Sequence, residues 1–391
     1  MTKNVLRITV ISSLADVAES EWDACVGPND PFTEYAFLRA LETSQSVGER
    51  TGWYPQFVLA YIDETLVGAV PLYLKDNSYG EYIFDWAWAQ GAQRARVAYY
   101  PKLVAAVPFT PATGNRLLTR PGVDRPAVIK ALVQGIGEVA KKHDVSSVHV
   151  LFCQPEEVKE LQSLGYRTRL SFQFHWHNRQ ERPYSDFDDF LGTFRSANRK
   201  QVRKERRIAA DHGLRLATFE GSQMGELEWQ AVGRLYDENA DKHGAITYLT
   251  PAFFEALRTT FAHRIVTTFA YEGENPVAGT LNFEKGKHIY GRYWGAQVQK
   301  EMLHFELCYY QLIDRAIARG HTLFEAGAQG EHKLKRGLTP SFTHSAHLIF
   351  DPALDRAIAG FLEQETSVVQ HHVQQYTLHS PYARGDEASS P

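Results

Sequence analysis

Cysteine, net charge and long apolar runs are all scarce in this chain. Its three cysteines, Cys25, Cys153 and Cys308, are odd in number and far apart in 391 residues. That excludes a disulfide framework and offers no metal-ligand spacing, so buried reduced thiols are expected. The formal net charge of −4 argues against a generally basic nucleic-acid binder. No run approaches the roughly 18 apolar residues of a membrane span. The opening MTKNVLRITVISSLADVAES has no basic segment before a long apolar stretch and no small-residue cleavage site, so no signal peptide is read there. A cytoplasmic protein is expected, long enough for two domains or one large one.

What the chain does contain is the same pattern twice. FVLAYIDETLVGAVPLYLK begins at Phe57 and FAYEGENPVAGTLNFEK at Phe269. Ala60-Tyr61 matches Ala270-Tyr271, and Val67-Gly68 matches Ala278-Gly279 with one residue inserted. Each copy reads as a strand, an acidic turn and a second strand holding a glycine. An aromatic strand is then expected in each, YIFDWAWAQG from Tyr82 and HIYGRYWGAQ from His288. Duplication predicts two similar halves.

Between these landmarks, strands and helices alternate in the manner of an α/β or α+β fold. Arg94–Asn115 reads as an extended loop and Pro126–His143 as an amphipathic helix with proline in its first turn. A polar junction at Asn178–Tyr184 places an N-terminal domain at 1–180 and a C-terminal one at 181–376. A short helix is expected at Ala357–Thr366, and 377–391 reads as a disordered tail. The C-terminal half opens on a basic helix carrying Arg195, Arg199, Lys200, Arg203, Lys204, Arg206 and Arg207, offset locally only by Glu205. This helix is a candidate surface for an anionic ligand such as tRNA, or simply a solvated face.

The densest polar cluster follows the short apolar strand Leu323-Phe324. It packs Glu325, Gln329, Glu331, His332, Lys333, Lys335 and Arg336 among glycines. Glu331 or His332 is a candidate proton acceptor. Lys333, Lys335, Arg336 and Gln329 are candidates for holding an anionic group, Arg336 through a bidentate fork. Tyr293, His304 and Glu306 are second candidates, for a cleft wall or for protonating the leaving group, and Arg292 and Trp294 are further candidates for binding substrate. His304, Glu306, Glu331, His332, His344 and His347 show no HExxH or comparable spacing, so no metal is expected.

Two stretches carry a resemblance to a known family. SANRKQVRKERRIAADHGLRLATFEG (Ser196–Gly221) is similar to the segment of FemABX-type peptidyltransferases in which a basic helix ends at glycine and enters a strand. ELCYYQLIDRAIARGHTLFEAGAQGEHKLKRGLTP (Glu306–Pro340) is similar to that family's C-terminal pattern, and YYPKLVAAVPFTPATG and GAQGEHKLKRG resemble its FemAB-like predicted N-acyltransferase group. The resemblance spans about residues 5 to 370. It implies two tandem GNAT-like (acetyltransferase-like) domains, with mixed sheets flanked by helices. It also implies transfer of an acyl or aminoacyl group to a small-molecule or peptide amine, such as a cell-wall precursor. The alternative is a non-catalytic module that recognises such a precursor. The glycine-rich pyrophosphate cradle of GNAT enzymes has no counterpart in AQVQKEMLHFE (Ala296–Glu306), so the donor is open between acyl-CoA and aminoacyl-tRNA.

Overall fold

A computed structural model describes residues 6–327 and 330–383. Two compact units divide them. The first takes residues up to 171 with 248–253 and 342–370, and the second takes 172–247, 254–341 and 371 onward. The chain therefore passes between units at 171/172, 247/248, 253/254, 341/342 and 370/371, where the sequence led us to expect one crossing near 180.

In the first unit, strands Leu6–Ile11, Phe57–Ile62, Thr65–Val70 and Leu118–Thr119 form one antiparallel sheet in that order. Helix Arg125–Lys142 covers it. Asp124 caps the helix by accepting the Ala127 N–H, and Pro126 sits in its first turn, where no N–H is needed. Val128, Leu132, Ile136 and Val139 form its buried stripe and join Val58, Ala60 and Val67 in one core. Strand Ser147–Cys153 is buried along its whole length and pairs parallel with Lys102–Ala105 and antiparallel with Ser345–Ile349 of a later strand.

In the second unit, strands Arg215–Glu220, Ile265–Glu272, Asn275–Lys285 and His288–Ala296 form an antiparallel run. His288–Ala296 then pairs parallel with Leu323–Glu325. A parallel pair needs a crossover, and here it is the helical stretch Leu303–Ala318. Its middle, Glu306–Tyr310, is a π turn, a local irregularity often found at functional sites. The core beneath is aromatic: Phe174, Trp176, Phe190, Tyr310 and Phe324 pack with Leu312 and Ile313.

The two hairpins are closer copies than their sequences show. Ala60 faces Gly68 and Ala270 faces Ala278, and every partner pair of one hairpin differs from the other's by 210 residues. Both shift register at the same point, Ala60/Tyr61 and Ala270/Tyr271. No residue is inserted, so Gly68 corresponds to Ala278 rather than to Gly279. Each glycine serves its own neighbour: a Cβ at Gly68 would lie 2.5 Å from Val128, and one at Gly279 2.5 Å from the Phe269 ring.

The likeness ends after the hairpin. The expected strand from Tyr82 is instead helix Trp86–Ala95. W-A-W-A fits a helix as well as a strand, alanine favours the helix, and Trp88 and Ala92, four apart, are its buried side. The third strand comes from Lys102–Ala105, inside the stretch expected as a loop. The C-terminal helix runs over Pro352–Leu378, well beyond Ala357–Thr366. The expected tail is thus helical to Leu378, and Tyr382 is buried against Phe190 and Phe194. Residues 384–391 lie outside the described residues.

Candidate active site in the C-terminal unit

The polar cluster after Leu323–Glu325 folds as a 3-10 turn over Glu331–Arg336. Gly330, at φ +112°, opens it, and a Cβ there would lie 2.5 Å from His332 Cε1. Gly337, at φ +88°, closes it, with the Phe190 ring 2.6 Å from where a Cβ would stand. A turn of three residues per repeat puts Lys333 and Arg336 on one side, and both are buried, whereas Glu331, His332 and Lys335 are exposed.

Arg336 is held in place by a residue from the basic helix. Glu205 accepts a two-pronged hydrogen bond from its guanidinium, Nε at 3.0 Å and Nη2 at 2.9 Å. Glu205 also accepts from the Tyr310 hydroxyl, and from Gln201 Nε2 at 2.9 Å. Arg336 Nη1 donates to the His332 carbonyl at 2.6 Å, and the guanidinium lies 3.4 Å from the centre of the Phe305 ring. Burying a charge is tolerable when it is paired and its hydrogen bonds are filled. Arg336 meets both conditions and fixes the turn to the π segment.

Around this anchor stand the groups with chemistry. Lys333 Nζ donates to the Gly327 carbonyl at 2.9 Å, and burial draws the ammonium down to about 8. His332 Nε2 lies 2.9 Å from the Tyr309 hydroxyl. Burial, with the charges of Arg336 and Lys333, lowers the pKa of His332. His304 is lowered to about 4, chiefly by burial, and its ring contacts Trp294 at 5.2 Å and Tyr309 at 5.5 Å. Neutral imidazoles beside a charged ammonium that gives up its proton near pH 8 make a set suited to proton transfer and anion stabilisation.

His304, His332, Lys333, Arg336 and Trp294 are therefore brought together. Others are placed elsewhere. Glu306 is buried and accepts from Arg206 at 3.1 and 3.3 Å and from Gln311 at 2.7 Å, so it is occupied structurally. Glu331 accepts from the Tyr376 hydroxyl. Tyr293 packs edge-on to Tyr236 at 5.2 Å, with the Arg292 guanidinium 5.2 Å from its ring centre. Lys335 is exposed, and Gln329 lies outside the described residues. Among the described residues, no group of three or more His, Cys, Asp or Glu is arranged to hold a metal. Among the described residues, no helix is long and apolar enough to cross a membrane.

Sequence reading missed Glu205, Tyr309 and Tyr310. The signal for Glu205 was present: it is the lone acid in a basic run, and it is 3% exposed while Lys200, Arg203, Lys204 and Arg207 around it face solvent. Nothing in the sequence marked the two tyrosines, because the π turn that presents them has no clear sequence signature.

Solved structures with this fold cover nearly the whole chain. FemX covers 88% of it and is itself covered to 98%, at 12% identity and a TM-score of 0.54. The C-terminal domain of a putative lysylphosphatidylglycerol synthetase from Agrobacterium fabrum covers 90% and is covered to 96%, at 10% identity and 0.53. A tandem GNAT protein from the clavulanic acid biosynthesis pathway covers 89% and is covered to 99%, at 12% identity and 0.44. Among curated proteins no sequence match is found. The architecture is α/β, with sheets flanked by helices, and FemX shares this fold. Residues 13–384 match the family described as FemAB-like, peptidoglycan biosynthesis/recognition, and the chain belongs to that family.

Proposed function

We propose that the cluster around His332 and Lys333 transfers an acyl or aminoacyl group to an amine of a peptidoglycan precursor or related peptide. The observation that carries this reading is a buried lysine drawn down to about 8 beside a histidine kept neutral, at the end of the parallel strand pair. Membership of a family tied to peptidoglycan biosynthesis or recognition supports the acceptor class. The acyl donor is acyl-CoA or aminoacyl-tRNA, and the exposed cations of the basic helix are the place for a tRNA phosphate.

The chain's residues divide the work as follows. The amine nitrogen attacks the acyl carbonyl carbon, a C–N bond forms, and the carbonyl electron pair moves onto oxygen. Lys333, as an ammonium, stabilises that oxyanion. His332 acts in the tautomer that donates Nε2–H to the Tyr309 oxygen 2.9 Å away, which leaves on Nδ1 the lone pair that accepts the amine proton. Collapse of the intermediate expels the donor's thiolate or ribose oxygen, which takes up the proton that His332 removed from the amine, and the imidazole returns to its neutral form. Glu205 and Arg336 position the turn and take no part in the proton transfer.

The test is mass gain on candidate acceptor peptides incubated with each donor. Lys333→Met should lower kcat about 10²–10³-fold, the usual loss for one oxyanion donor. The ammonium is lost as pH rises through about 8, so wild-type activity should fall above that pH and Lys333→Arg should keep it. Equal rates for wild type and Lys333→Met overturn the assignment of Lys333. Acceptor binding with no transfer from either donor supports a recognition module instead.

A further inference from the structure

The N-terminal unit holds a polar cluster of its own, deep in its core. His149 and His347 are direct cross-strand partners, each 1% exposed. Their Nδ1 atoms lie 2.7 Å apart. Each Nε2 lies 2.8 Å from a serine two residues earlier in its own strand, Ser147 for His149 and Ser345 for His347. Ser147 Oγ lies 3.1 Å from Ser146 Oγ, and Ser146 Oγ reaches the Tyr99 carbonyl.

The proton order of this chain follows from counting donors. A carbonyl only accepts, so Ser146 commits its one hydroxyl proton to Tyr99. Ser147 must then donate to Ser146, and its own oxygen accepts from His149 Nε2–H. A neutral His149 with its proton on Nε2 has a lone pair on Nδ1, which accepts from His347 Nδ1–H. His347 Nε2 in turn accepts from the Ser345 hydroxyl. Each donor is used once, and neither imidazole has a lone pair left for another proton.

The surroundings do not help a charge either. The Trp88 ring lies 4.9 Å from His347 and 6.2 Å from His149, and the Tyr99 ring 6.3 Å from His149. The charged neighbours are Lys102, Asp85 and Arg169. Asp85 and Glu81 already hold Lys102, and Glu365 holds Arg169.

We propose that Ser345–His347–His149–Ser147 is an acid-sensitive latch that joins strand Ser147–Cys153 to strand Thr339–Ile349 while both imidazoles are neutral and releases them when either is protonated. The unfolded chain takes up both protons below about pH 6.5. The folded pair resists, His149 down to about 3 and His347 also held well below its ordinary value, because burial disfavours the charged forms. The unfolded state therefore binds more protons in that window, and stability falls as pH falls. Each imidazole contributes about tenfold per pH unit to the unfolding constant, so the pair contributes about a hundredfold.

Two measurements on the full chain test this. In ¹⁵N-histidine spectra at pH 7, one pair of imidazoles should show coupling between its Nδ1 atoms across a hydrogen bond, one ring being the Nδ1–H tautomer and the other Nε2–H. Two Nε2–H rings without that coupling, or an imidazolium at pH 6, would overturn the latch. Ser345→Ala removes the donor to His347 Nε2 and frees its lone pair to take a proton in the folded state, so below about pH 6.5 stability should fall less steeply with pH than in wild type. An unchanged slope in a folded Ser345→Ala protein would also overturn the latch.

Discussion

Each unit brings a pair of histidines together, and the two pairs are put to opposite use. His149 and His347 face one another at 2.7 Å with every nitrogen engaged, and both rings are sealed in the core. His304 and His332 meet only through their rings, 6.3 Å between centres, with His332 at the surface and two cations beside it. Saturated hydrogen bonding makes the first pair a strut, because nothing can be added without breaking a bond. Open coordination and neighbouring charge make the second pair reactive. Depressed basicity alone does not separate them, since His149, His347, His304 and His332 are all lowered by burial. What separates them is whether a lone pair remains for a substrate.

The largest test of this contrast is to break the anchor on each side. Glu205→Ala leaves Arg336 buried without its carboxylate, and Lys102→Ala leaves Glu81 and Asp85 buried without their cation. Each should cost about 3–5 kcal/mol of stability, read by denaturant unfolding. The double variant Glu205→Met with Arg336→Met should recover most of that loss, since a packed apolar pair often replaces a buried ion pair at little cost. Its transfer activity should not recover if Arg336 sets the geometry of His332. Full activity in the double variant would show that the anchor is mere scaffolding.

The pH responses sharpen the same division. Stability should decline as pH falls below about 6.5, where the unfolded histidines take up protons that His149, His304 and His288 refuse until about 3 to 4. Activity should decline in the other direction, above about 8, as Lys333 loses its proton. A melting temperature and a rate measured across one pH series would show two limbs that do not coincide. Coincident limbs would mean that activity merely tracks folding.

How much of this the sequence disclosed depended on period and locality. The hairpins were legible because alternation and turn residues are local, and the register they adopt is fixed by one buried face. Helix Arg125–Lys142 was legible for the same kind of reason. Trp86–Ala95 was misread because W-A-W-A satisfies both periods, and the choice is made by a distant partner, the apolar face of Leu354, Ile358 and Leu362. The site followed this rule too. His332, Lys333 and Arg336 stood out as a dense local cluster. Glu205 lies 131 residues from Arg336, and their pairing is a tertiary fact that spacing could not disclose.

The finest probe is the single hydrogen bond between Tyr309 and His332. Tyr309→Phe keeps the ring that packs against Phe305 and His304 and removes only the oxygen 2.9 Å from Nε2. A bond of this kind contributes about 0.5–1.5 kcal/mol, so the rate should fall at most about tenfold and the melting temperature should barely move. Losing the acceptor frees the imidazole to take either tautomer, which dilutes the one with its lone pair on Nδ1. The loss should therefore appear in kcat rather than in KM for the acceptor. A change confined to KM would instead place Tyr309 against the bound amine and leave His332 without an orienting partner, and the assignment of the base would have to move to another group.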